Sequence, residues 1–302
     1  MNKMEFNIKV NNNIKEIIEK QYNMIITNEY GKDIIDRYSL NEEEVYNNTS
    51  KITDWIKEKE SCANCKGLKY CNKKTNGRYM DLKYDKILVK ELSRCEYLIK
   101  EDKAIKHKEY FRNSHISDNM LKIDLTKIDV AKESKTYRDV LAQCIKFMKE
   151  PQKGLMLYGA PGVGKSFLSM VIANDFAKNK KSVSFINMPT FMNELKMNLY
   201  NKNYVDSVLS IIKNVDLLII DDIGGEVVSS WSRDEILLPI LNERMEMNKL
   251  CIVTSNYSIE QLQKHYIKTS SGDMDNIAAI RLIERLKALC NDLEVISSNR
   301  RT

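Results

Sequence analysis

The sequence predicts an α/β domain over residues 136–302, with a parallel sheet covered by helices on both faces. A mainly helical N-terminal part over residues 1–115 precedes it, and residues 116–135 serve as a linker. Three observations lead there. From Thr136 onward short apolar runs alternate with longer amphipathic ones, the signature of βα units. Before about residue 115 the apolar residues recur at helical spacing. Between the two, charged and small polar residues alternate with isolated aliphatics and no period holds.

In the N-terminal part, Ile14, Ile17 and Ile18, then Ile25 and Ile26, then Ile34, Ile35 and Tyr38 mark helices. Gly31 and the Asn-rich stretches near Asn11 and Asn47 read as the breaks between them. A cysteine-rich stretch follows, and residues 79–92 look like short strands. The Ile and Leu residues of the linker leave open that it docks on one domain. In the α/β part a helix (137–149) leads to a strand (154–158), a glycine-rich loop and a helix (165–178). Next come a strand (182–187), two helices (190–199 and 205–213) and a strand (215–220). A helix (232–247), a strand (251–255), two further helices and a short strand (293–296) complete the pattern.

Residues 159–166, GAPGVGKS, fit G-x-x-x-x-G-K-[ST] between an apolar strand and an amphipathic helix, the context that makes this motif a phosphate-binding loop. Gly159, Ala160, Pro161, Gly162, Val163 and Gly164 form the loop, and Phe167 follows it. Gly162 and Gly164 let backbone N–H groups turn inward toward phosphate oxygens, and the helix N-terminus adds its positive dipole end. Lys165 reaches the β- and γ-phosphates of a nucleotide, and the Ser166 hydroxyl ligates Mg²⁺. The apolar run 217–220 ends in Asp221 and Asp222, which places two carboxylates at the sheet edge beside that loop. Asp221 is the expected Mg²⁺ partner, and Asp222 the residue that polarises the attacking water. An Asp is shorter than the Glu more common in the second role, which predicts hydrolysis that is slow or partner-dependent. Asn256 ends the next apolar strand. It reads either as a polar contact to the γ-phosphate or attacking water, or as a helix-capping residue.

These elements in this order resemble the AAA+ ATPases, and more narrowly the bacterial helicase loaders of the DnaI and DnaC type. The resemblance rests on LLIIDDIG at 217–224, on 231–235 leading to 241–245, on Thr254 to Asn256, on the Arg281 to Arg285 stretch and on the closing Asn299, Arg300 and Arg301. It covers about residues 136–302. It implies a five-stranded parallel sheet, ATP as the nucleotide, and assembly in which an arginine of one subunit reaches the ATP of the next. Arg285 is the candidate for that finger, with Arg281 one turn earlier as runner-up. Arg300 or Arg301 is the candidate for a second sensor in the same subunit. The resemblance also implies single-stranded DNA and a hexameric replicative helicase as partners, in DNA replication, and no long lid domain; few residues remain after Asn256.

Of seven cysteines, four lie between Cys62 and Cys95. Cys62, Cys65 and Cys71 form a C-x2-C-x5-C array, and Zn²⁺ takes four N or S ligands. Cys95 is the expected fourth, returned by a hairpin, with His107 the more distant alternative. DnaI-like proteins carry a structural zinc in a helicase-gripping domain, and such a site has no open position for catalysis. Cys144, Cys251 and Cys290 read as core residues. Lys178, Lys180 and Lys181 form a small basic cluster, and Phe191, Tyr200 and Tyr204 lie near Lys196 and Lys202. Aromatics interleaved with lysines suit single-stranded nucleic acid, though core aromatics beside a solvated lysine face give the same pattern.

The formal net charge of +6 permits a nucleic-acid or acidic partner without demanding one. No run approaches the roughly 18 apolar residues that span a bilayer, and the first twenty residues lack an apolar signal core, so a cytoplasmic protein without membrane contact is expected. The function that follows is an ATP-dependent loader of the replicative helicase. Two alternatives remain: a transposition ATPase of the IstB kind, against which the cysteine array argues, and a non-hydrolysing adaptor such as a phage-type helicase-loader homologue.

Overall fold

The computed structural model describes residues 12–114 and 116–300. Two compact units divide the chain between Lys103 and Ala104.

In the first unit, α1 (Asn12–Thr27), α2 (Glu29–Tyr38), α3 (Glu42–Asn47) and α4 (Thr49–Glu60) precede the antiparallel hairpin of β1 (Arg78–Asp85) and β2 (Ile87–Arg94), and α5 (Glu96–Ala104) closes it. Of the expected breaks, Asn47 ends α3 and Asn48 separates it from α4, while Asn11 lies outside the described residues. Asn28 caps α2 by accepting from the N–H of Tyr30 and Gly31, and Asn41 with Glu44 forms a capping box on α3. Gly31, expected between helices, lies inside α2. A Cβ there would meet the Ile25 carbonyl oxygen at 1.9 Å, so this glycine permits two helices to cross closely. Ile25, Ile34, Ile52, Trp55 and Ile56 bury their side chains with Leu82 and Leu88 of the hairpin.

In the second unit, α6 (Asp118–Leu121) lies in an irregular lead-in. Then follow α7 (Lys135–Lys149), β3 (Gly154–Tyr158), α8 (Lys165–Lys178), β4 (Val183–Asn187), α9 (Met188–Met197), α10 (Lys202–Asn214) and β5 (Leu217–Ile223). A π-helical stretch, Trp231–Leu237, runs into α11 (Leu238–Glu246). The unit ends with β6 (Leu250–Ser255), α12 (Ile259–Ile267), α13 (Asn276–Leu289) and β7 (Cys290–Glu294). The five strands are parallel in the order β4-β5-β6-β3-β7. Alternate residues feed opposite faces. Leu157, Leu217, Ile219 and Ile252 pack with α7 and α8, whereas Met156, Leu218, Ile220 and Val253 pack with α9 to α13. The last strand sits three residues earlier than expected, with Cys290 level with Gly154. Cys144, Cys251 and Cys290 are buried.

The lead-in docks on this unit. The Arg112 N–H donates to the Val183 carbonyl (2.7 Å), and Phe111 bridges to Val183 beyond the β4 edge. Asn174 on α8 donates through Nδ2 to the carbonyls of Met120 (2.9 Å) and Ile123 (2.8 Å). Its Oδ1 is therefore the acceptor for Nε2–H of the buried His107, 3.1 Å away. Among the described residues no helix is long and apolar enough to cross a membrane.

Candidate nucleotide site

Strand β3 delivers the chain into the glycine-rich loop, and α8 begins at Lys165. Gly162 and Gly164 have φ of 85° and 103°, in the region that L side chains rarely adopt. At Gly162 a Cβ would also meet the Asn299 Oδ1 at 2.2 Å. The Lys165 ammonium donates to the carbonyls of Gly159 (2.7 Å) and Ala160 (2.9 Å) and to Asn256 Oδ1 (2.8 Å). Asn256 Nδ2 in turn donates to Asp222 Oδ1 (3.1 Å). One carboxamide thus joins the loop lysine to the second carboxylate.

The carboxylates owe their position to a break in the ladder between β5 and β6. Ile220 pairs with Val253 and Ile223 with Ser255, so Asp221 and Asp222 together oppose Thr254. This two-against-one count is a β-bulge, uncommon between parallel strands and characteristic of sites where side chains are re-aimed. Asp222 takes φ 61°. Gly225 leaves room for its carboxylate, because a Cβ there would lie 2.6 Å from Asp222 Oδ2.

These groups surround a cavity of about 560 Å³. Pro161, Gly162, Gly164, Lys165, Ser166 and Phe167 line one side, and Asp221, Asp222, Asn256 and Arg300 another. Gly159 and Ala160 contribute carbonyls to the lysine, while Val163 is buried in the core beneath the loop. The Ser166 hydroxyl and the Asp221 carboxylate are hard oxygen donors on one cavity, a set that fits Mg²⁺. Arg300 stacks its guanidinium 4.2 Å over the ring of Tyr137, pairs with Glu133 and donates its backbone N–H to the Gly162 carbonyl (2.9 Å). Burial pushes the Tyr137 phenol up to about 12, so it stays protonated. Arg285 and Arg281 lie on α13 outside the cavity wall, and Arg285 Nε donates to Asn242 Oδ1 (2.6 Å). Arg301 lies outside the described residues.

Sequence reasoning gave no site role to Lys127, Ile128, Asn187 and Thr254 in the wall, or to the Glu133 and Tyr137 that hold Arg300. Asn187 carried a usable signal, a polar residue ending a strand that pairs in register with Asp221. Lys127 and Ile128 carried none. Among the three aromatics near Lys196 and Lys202, Phe191 is core, Tyr204 bonds Glu194, and Tyr200 is fully exposed.

In the first unit, Cys62, Cys65, Cys71 and Cys95 line a common cavity of about 270 Å³. The N–H of Gly77 donates to Cys71 Sγ (3.4 Å) and that of Leu98 to Cys95 Sγ (3.5 Å). Two of the four sulfurs, Cys71 and Cys95, thus receive a backbone N–H, the kind of partner that supports a metal-bound thiolate. Among the described residues no three ligand-type side chains are gathered to coordination spacing. His107, the alternative ligand, is in the second unit against α8.

Residues 83–301 match the family described as IstB-like ATP binding protein. The chain is 28% identical over 266 residues to the replicative helicase loader DnaI of Bacillus subtilis (strain 168), covering 83% of this chain and 82% of that one. Over 107 residues it is 30% identical to the replicative helicase loader DnaC of Escherichia coli (strain K12), covering 35% and 43%. A crystal structure of DnaI superposes with a TM-score of 0.54 at 29% identity, covering 65% of this chain and all of the other.

Proposed function

The chain belongs to the IstB-like ATP-binding protein family, and from that premise we propose that it is an ATP-dependent loader of a hexameric replicative DNA helicase, acting in the cytoplasm. The observation that carries this over a transposition ATPase is the extent of the likeness to DnaI. It spans 83% of the chain, more than the second unit contains, and so reaches into the cysteine-bearing unit.

ATP would occupy the cavity between the glycine-rich loop and the carboxylates. Its β- and γ-phosphates would take the Lys165 ammonium from the carbonyls of Gly159 and Ala160. A γ-phosphate would compete with Asn256 Oδ1 for the Lys165 ammonium and with Asp222 for the Asn256 Nδ2–H, so nucleotide arrival would free the carboxylate to orient the attacking water. Ser166, and Asp221 through water, would hold Mg²⁺, which would supply charge neutralisation at the phosphates. Arg300 on the cavity wall would sense the nucleotide from within the subunit. Arg285, which does not line its own cavity, would act on the nucleotide of a neighbouring copy, with several copies assembled on the helicase. Tyr200, exposed beside Lys196 and Lys202, offers a stacking surface to single-stranded DNA. Cys62, Cys65, Cys71 and Cys95 would hold a structural zinc in the helicase-gripping unit. Their common cavity supports this.

Two experiments bear on the reading. The protein should co-purify with a hexameric replicative helicase and lose it on deletion of residues 1–103, which removes the first unit and spares the lead-in docked on the second. Binding to no such helicase would sink the loader assignment. Asp222→Asn should lower ATP turnover on the order of 100-fold, within the range for removing a general base. Unchanged turnover would refute that role for Asp222, and a wild type with no turnover at all would be a non-hydrolysing adaptor.

A further inference from the structure

The β-bulge raises a question about polar groups that the phosphate-site residues do not answer. Two residues of β5 oppose one of β6, so one backbone N–H on β5 is left without a ladder acceptor. That N–H belongs to Asp222, and it donates instead to the hydroxyl of Thr254 (2.9 Å). The same hydroxyl donates its proton to Asp221 Oδ1 (2.8 Å). Thr254 is fully buried, as is the hydroxyl-to-carboxylate contact. A single oxygen therefore serves as acceptor for the backbone of one carboxylate residue and donor to the side chain of the other.

We propose that Thr254 is a positioning residue for the metal-nucleotide site. Its hydroxyl fixes the rotamer of Asp221 and stabilises the bulge that carries Asp222 beside the phosphate loop. One Asp221 oxygen is engaged by Thr254, and both residues line the cavity. The role is the one outer partners play for ligating carboxylates, where loss of the partner alters metal affinity or activity by about 10–100-fold. Neighbouring Ser255 acts differently, since its hydroxyl donates to the Ile223 carbonyl (2.8 Å) and touches neither carboxylate.

This inference rests on the reading of the cavity as a Mg²⁺-nucleotide site. Its test compares the full-length wild type with Thr254→Val, which keeps the shape and deletes the hydroxyl, and Thr254→Ser, which keeps the hydroxyl and deletes a methyl. Binding of a fluorescent, non-hydrolysable ATP analogue is titrated with and without Mg²⁺, and turnover is measured against Mg²⁺ concentration. The expected result for Thr254→Val is a Mg²⁺ requirement raised about tenfold, analogue affinity without Mg²⁺ unchanged, and reduced turnover. Thr254→Ser should stay within about twofold of wild type in all three, since the partner hydroxyl is kept. A Thr254→Val protein with the wild-type Mg²⁺ requirement overturns the role. So does a Thr254→Ser protein that loses Mg²⁺ dependence, a comparison that holds even if Thr254→Val does not fold. If the wild type itself shows no Mg²⁺-dependent analogue binding, the reading of the cavity falls and this role with it.

Discussion

Arg244 is fully buried on α11, and no carboxylate pairs with it among the described residues. Its Nη1 donates to the carbonyls of Ile212 (2.9 Å), Lys213 (3.1 Å) and Val215 (3.1 Å), and Nη2 to that of Leu250. The first three belong to the end of α10, where the helix dipole is negative and carbonyls lack intrahelical partners. The fourth opens β6. The guanidinium thus ties the α10 end to the strand that leads to Thr254 and Asn256. Burial pulls its pKa down, yet an arginine remains charged. Arg244→Met preserves most of the volume and orphans four carbonyl oxygens. At the low end of about 1 kcal/mol each, the loss is about 4 kcal/mol. For a unit of this size that corresponds to roughly 8–16 °C in Tm. Two units preclude a single two-state transition. The measurement is therefore Trp231 fluorescence during urea unfolding in a Trp55→Phe background, which leaves the second unit as sole reporter. Arg244→Lys, with a charge but no fork, should fall between the two. A loss below about 1 kcal/mol for the methionine variant would refute the reasoning, because it would mean that the carbonyls find water or other donors at no cost.

Two further outcomes are expected. Gly225→Ala inserts a methyl 2.6 Å from Asp222 Oδ2, so the carboxylate must move; turnover should drop about tenfold or more while urea stability changes by less than about 1 kcal/mol, and equal losses in both would contradict a local effect. Burial depresses the His107 pKa below its ordinary 6.5, so the unfolded chain takes up the proton first. The stability that neutral His107 contributes is full above pH 6.5 and is lost as pH falls below it. Unfolding free energies from urea titrations between pH 5 and 7 should slope less steeply in His107→Gln, by at most about 1.4 kcal/mol per pH unit. Parallel slopes would rule this out.

The parts of the site with local grammar were legible in the sequence. The glycine-rich loop, the apolar run ending in Asp221 and Asp222, and Asn256 each lie at a strand end, where spacing alone fixes the neighbourhood, and all reach one cavity. Lys127 and Ile128 reach the same cavity through the docking of an aperiodic lead-in, and that docking depends on His107, Asn174 and Val183, far away in sequence. Gly31 looks like a helix break because glycine usually is one; its reason is a crossing helix, which a one-dimensional pattern does not record. Strand β7 escaped by three residues because its first half, Cys290, Asn291 and Asp292, lies at the sheet edge, where a polar sequence is tolerated. The bulge between β5 and β6 was likewise invisible, since consecutive aspartates do not reveal that both oppose Thr254.

The decisive measurement is transfer of a hexameric replicative helicase onto covalently closed single-stranded DNA circles, followed by gel filtration with ATP present. The wild-type protein should leave helicase on the circles, and Lys165→Ala, deprived of the ammonium that meets Gly159, Ala160 and Asn256, should not. Helicase that reaches the circles equally well with wild type, with Lys165→Ala and without the protein would contradict the account.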